Sequence, residues 1–75
     1  MSTKCLAQFV TAFPSLRRLA KDIGVAQATV ERWRDRDSIP GTYWVAIERA
    51  AQRQGIRWIT VEALALAAAA KRRVA

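Results

Sequence analysis

Apolar residues recur along this chain with the spacing of helices. Leu6, Phe9, Val10 and Phe13 fall at i, i+3, i+4 and i+7, a stripe down one side of a short first helix. Pro14 ends it, and Ser15 supplies the N-cap for a second helix from Leu16 to Ile23. That helix turns Leu16, Leu19, Ala20 and Ile23 inward and Arg17, Arg18, Lys21 and Asp22 outward. Gly24 stands where a helix stops on a residue of positive φ. A third helix begins after Val25 and runs to about Arg34, with Val30 and Trp33 inward. Asp35 to Gly41 holds Asp, Ser, Pro and Gly and reads as a loop. Thr42 to Gln54 reads as a fourth helix with Trp44, Ile47 and Ala51 on one side, closed by Gly55. Thr60 is a good N-cap for a fifth, from Val61 to about Ala70. Period-2 alternation is not sustained anywhere, so the expected fold is all-α, a compact domain of four or five short helices.

At 75 residues the chain is one domain, 1–75, with a limited core that oligomerisation would supplement. Its 52% hydrophobic content argues against disorder. With no His and one Cys at position 5, neither a nucleophile–base pair, an internal disulfide nor a zinc site can be assembled. An enzyme is therefore not expected, nor a metal or other cofactor. The start of the chain lacks the pattern of a secretory signal, and the uncharged run Ala63–Ala70 is far below the roughly 20 residues of a membrane span. A cytoplasmic protein with no membrane partner is expected. The formal charge of +7 calls for an anionic partner, nucleic acid before a membrane surface. The latter needs cations on one face of an amphipathic helix, whereas here they surround a turn.

The informative window is Leu16–Asp35, LRRLAKDIGVAQATVERWRD. Two helices crossing steeply over a turn of three or four residues need a small residue at their approach and a positive-φ residue in the turn. Ala20 and Gly24 supply these, while Leu19, Ile23, Val25, Val30 and Trp33 clamp the pair to the rest of the domain. Six cations fall between Arg17 and Arg36, opposed only by Asp22, Glu31 and Asp35; a solvated surface charge is the alternative for any one of them, and together they mark a surface.

This window resembles the helix-turn-helix of the small phage-type Cro/CI-like regulators, whose fold is lambda-repressor-like. The continuation RWRDRDSIPGTYWVAIERAAQRQGI, followed by ITVEALA, resembles a Cro/YdaS-like subgroup with Trp-x-x-Arg, Ile-Pro, a fourth helix and a Thr-headed final helix. The resemblance covers residues 15–66. It implies a dimeric DNA-binding transcription regulator of phage or prophage-derived type, bacterial or phage-encoded, associated with the nucleoid and most often a repressor. Ala26 departs from the pattern, standing where the family often has Ser or another capping residue.

In this motif the second helix lies in the major groove with its N-terminal residues at base edges. Val30 and Trp33 face inward, which leaves Gln27, Ala28, Glu31, Arg32 and Asp35 outward. Gln27 can pair with adenine, Arg32 with guanine, Ala28 with a thymine methyl and Glu31 with cytosine N4. The bland alternative for Glu31 is an ion pair, with Arg34 for example, that orients Arg32. Phosphate contacts are expected from Ser15 and Arg17 at the start of the first motif helix, from Thr29, Arg34, Arg36 and Ser38 flanking the second, and from Gly41, Thr42 and Tyr43 at the fourth.

Trp33 and Trp44 have core spacing, while Trp58 either caps the core or meets a partner. Val61, Leu64, Ala65 and Ala68 form a stripe on the last helix, 60–70, that would join two copies with Trp58 and match a palindromic operator. Its alternative is packing onto the same chain. Residues 71–75, with Lys71-Arg72-Arg73, read as a basic tail that adds phosphate affinity or solubility. A competing class is a protein-interaction module, or an activator, that recruits RNA polymerase, a toxin or another partner.

Overall fold

The computed structural model describes residues 4–74, with side chains as far as Arg72. Five α-helices succeed one another: α1 Leu6–Thr11, α2 Leu16–Ile23, α3 Gln27–Arg36, α4 Trp44–Arg53 and α5 Val61–Val74. A single 3-10 turn, Gly41–Tyr43, leads into α4, and no strand occurs among the described residues.

Local chemistry sets most of these boundaries. Ser15 Oγ accepts the Arg18 N–H at 3.1 Å and opens α2. Gly24 closes it at φ 79°, a left-handed conformation that costs glycine no Cβ clash, and Val25 N–H returns to the Ala20 carbonyl at 2.9 Å. Only Gly24, Val25 and Ala26 separate α2 from α3, and Ala26 provides no side-chain cap. Thr60 Oγ1 accepts the Ala63 N–H at 3.0 Å, and the Glu48 carboxylate reaches from α4 to the Val61 N–H at 2.5 Å, so α5 has two side-chain acceptors at its start.

Three boundaries differ from the sequence expectation. α3 continues to Arg36 rather than stopping near Arg34, and the loop begins at Asp37. Asp37 takes φ 52° there, the one non-glycine residue with positive φ among those described. The start of the fourth helix is a 3-10 turn, because Pro40 fixes the entry and its carbonyl accepts the Tyr43 N–H at 3.0 Å. α5 runs on to Val74, through the segment expected to be a basic tail. Ala, Lys and Arg all favour helix, and Lys71 is held by bonds described below; Ala75 lies outside the described residues.

The core joins all five helices. Leu19 of α2, Val30 of α3, Ala50 and Ala51 of α4 and Leu64 of α5 are wholly buried, with Phe9, Val10, Ile47 and Ile59 close behind. α3 packs against both α1 and α2, and α5 lies across α1 and α4. Leu64 corrects one expectation. Expected in a dimer stripe, it has no exposed surface to give a second copy. Among the described residues no buried side-chain nitrogen or oxygen lacks a partner, and no helix is long and apolar enough to cross a membrane.

Candidate nucleic-acid interface

The outward side of α3 is fixed by what its inward side buries. Val30 is wholly buried and Trp33 nearly so, with the Trp33 ring against Tyr43 at 4.9 Å between centroids. At a period of 3.6 residues, that leaves Gln27, Ala28, Arg32 and Asp35 exposed and Thr29, Glu31 and Arg34 half-buried. The four residues expected at base edges thus share one helix and one side of it.

They are not independent groups. Gln27 Nε2 donates to Glu31 Oε2 at 3.1 Å, an i,i+4 pair along the helix. The alternative of a Glu31–Arg34 ion pair is not formed, since Arg34 Nε turns instead to Asp35 at 3.0 Å. Two cations flank this side without an ion pair among the described residues: Arg32 within it and Arg36 at its end. Arg17, exposed in the first turn of α2, likewise forms no ion pair among the described residues.

Other cations go elsewhere. Arg18 and Lys21 border a concavity of 310 Å³ with Asp22 and Arg53, between α2 and the end of α4. Asp22 is taken up there by Arg53, with guanidinium–carboxylate distances of 2.8 and 3.2 Å. The acid of α2 is thereby neutralised from another helix.

No family model, curated protein or solved structure matches this chain.

The expected phosphate contacts are scattered over several elements. Ser15 is exposed, with its oxygen accepting the α2 cap bond, and its hydroxyl hydrogen can still donate. Ser38, Gly41 and Thr42 are exposed on the segment between α3 and α4, while Tyr43 is half-buried by its contact with Trp33. Of the expected dimer residues, Ala65 is exposed, Val61 and Ala68 are half-buried, and Leu64 belongs to the core. Trp58 is 41% exposed, although one part of its ring meets Phe9 at 5.1 Å and Lys4 Nζ stands 4.8 Å from its centroid.

What fixes the far end of α3 escaped the sequence reading. Asp37 Oδ1 accepts the Ala7 N–H in the first turn of α1 at 2.7 Å, serving as an N-terminal acceptor from 30 residues away. Lys71 Nζ donates to the carbonyls of Arg36 and Asp37 at 3.1 and 2.6 Å. A cation therefore sits on the C-terminal carbonyls of α3, the negative end of its dipole. This corrects the tail assignment for Lys71, whose ammonium is tied to the domain. The only sequence signal was an Asp at a helix end, a residue type that tolerates the left-handed region.

Proposed function

We propose that the chain is a sequence-specific, double-stranded DNA-binding transcription regulator. In this reading α2 and α3 form a helix-turn-helix with α3 in the major groove, and the protein acts as a dimeric, Cro-like repressor on a palindromic operator. The observation that carries the reading is the side of α3 opposite Val30 and Trp33. It offers Gln27, Ala28 and Arg32 from a helix anchored on its other side, and Arg36 at its end and Arg17 on α2 form no ion pair among the described residues. Base edges demand such a mixture: a bidentate amide, a methyl and a guanidinium, each bidentate pair contributing about 1–3 kcal/mol of discrimination. The cations supply attraction to phosphates that is independent of sequence and falls steeply with salt.

The Gln27–Glu31 bond refines the assignment. Donating to Glu31 leaves the Gln27 amide oxygen and its second N–H for a base, and removes one lone pair of Glu31 from cytosine. Arg32 is then the strongest single reader. For the dimer, Ala65 and Leu66 of α5 and Trp58 are the exposed residues to test in place of Leu64.

Selection of bound sequences from random duplexes tests the reading. A palindromic motif should be enriched, with half-sites about one helical turn or a multiple apart. Changing both Gln27 and Arg32 to Ala should remove preference for that motif while leaving salt-sensitive binding to arbitrary duplex. Retention of full preference by the double variant would remove α3 from the recognition role.

A further inference from the structure

A cleft between the start of α4 and the end of α5 lies outside the residues assigned to base reading, although Ser38 and Gly41, expected at phosphates, are part of its lining. It offers about 560 Å³ and is walled by Ile39, Pro40, Trp44 and Ala68, with Lys71 and Arg72 also lining it and no carboxylate among the described residues. Trp44 is half-buried, and its indole N–H already donates to the Ile39 carbonyl at 2.9 Å. Since indole has no other hydrogen-bonding group, what remains of the ring is an apolar surface with no bond left to make. The two cations differ in what they can offer. Lys71 is engaged with the Arg36 and Asp37 carbonyls, whereas Arg72 is exposed and forms no ion pair among the described residues.

We propose that this cleft docks a segment of another protein that carries an aliphatic or aromatic side chain beside one or more carboxylates. The apolar side chain lies against Trp44 and Pro40, and a carboxylate meets the Arg72 guanidinium, whose planar fork suits it. Charge complementarity selects this occupant. A chain of formal charge +7 attracts acidic segments, and the cleft lining adds two cations to that field without an opposing acid among the described residues. The apolar walls decide between a peptide and a nucleic-acid backbone. A phosphate uses the cation but gains nothing from covering Trp44 and Ala68, whereas an aromatic or aliphatic anchor with a charged rim is the anatomy of peptide interfaces.

The experiment uses the full chain and a library of short random peptides, selected on the wild-type protein. Enriched peptides should pair Asp or Glu with Leu, Phe, Trp or Ile, and should shift the Trp44 indole N–H resonance on titration. Arg72→Glu should weaken them about tenfold or more, as loss of a charge-assisted contact predicts. Arg72→Ala should weaken them in the same direction. Arg57→Glu makes the same change of charge at an exposed residue outside the cleft and should be far milder. Circular dichroism of each variant confirms that the helices persist. Four results overturn the proposal. They are no enrichment, enriched peptides indifferent to Arg72, a Trp44 shift driven by protein concentration alone, and a Trp44 shift produced by duplex DNA but by no peptide. The last two assign the cleft to a second copy or to DNA. None of these readouts depends on operator specificity, so failure here leaves the reading of α3 intact, and the converse also holds.

Discussion

Replacement of Asp37 separates two contributions that the structure places on one residue. Its backbone is left-handed at φ 52°, and its carboxylate accepts the Ala7 N–H at 2.7 Å. A hydrogen bond to a charged acceptor contributes about 1.5–3 kcal/mol. An ordinary L-residue in the left-handed region costs about 1–2 kcal/mol, less for Asp or Asn and nothing for Gly. Asp37→Asn keeps an acceptor and a tolerant backbone and should cost less than about 1 kcal/mol. Asp37→Gly loses the bond but relieves the backbone, for a net cost of about 0.5–2 kcal/mol. Asp37→Ala loses on both counts, about 2–4 kcal/mol. At roughly 0.05–0.15 kcal/mol per residue a chain of this length has about 4–11 kcal/mol in total, so the Ala variant forfeits a large part of it. Its melting temperature should fall by about 10–25 °C. Urea and thermal unfolding followed by circular dichroism give the order, expected as Asp, Asn, Gly, Ala from most to least stable. If Ala matched Asn, neither contribution would be present. If Gly exceeded the wild type, the bond to α1 would be worth less than the strain.

Leu64→Ala should cost about 2–5 kcal/mol, as for other wholly buried leucines, whereas Leu66→Ser, at 60% exposure, should change the folding stability of the monomer by less than about 0.5 kcal/mol; denaturant midpoints at low protein concentration read both. Ala26→Ser installs the missing N-cap of α3 and should stabilise the domain by about 0.5–2 kcal/mol, visible as a raised midpoint without a change in denaturant slope. Glu31→Ala removes the partner of Gln27 and an acid from the proposed DNA side, so affinity for arbitrary duplex should rise and specificity should change at the base that Gln27 meets, measured by anisotropy and repeated selection.

Much of the helical framework was legible because its signals are local. Ser15, Gly24 and Thr60 act within three or four residues of where they stand, and each does so in the structure. Val30 and Trp33 declare the buried side of α3 through spacing alone. The Gln27–Glu31 pair was legible in principle, since residues four apart share a helix face, and the ion pair with Arg34 was the less apt alternative. Polar contacts between distant segments were not legible. Asp37 to Ala7, Asp22 to Arg53, Glu48 to Val61 and Lys71 to the end of α3 each depend on helices meeting in space. Leu64 failed for a related reason: an apolar stripe on a last helix has the same pattern whether it meets its own core or a second copy.

These distant contacts make α3 unequal along its length. Its C-terminal end is held three times, by the burial of Trp33, by Asp37 bound to α1 and by Lys71 on its last carbonyls. Its N-terminal end is anchored by the buried Val30 but lacks any side-chain cap, since Ala26 offers only its carbonyl. On stability alone the arrangement is poor, because a side-chain cap contributes about 0.5–2 kcal/mol and a single Ser would provide one. Under the DNA-binding reading it is useful. Unfilled N–H groups at the start of a helix attract an anion, and a capping oxygen would compete with a phosphate for them. Ala26→Ser therefore tests more than a cap. If α3 enters the groove by its N-terminus, the stabilised variant should bind operator no better than the wild type, or less well, even though its folded population has risen. An increase in both stability and affinity would place the phosphate elsewhere and leave the open cap without a role.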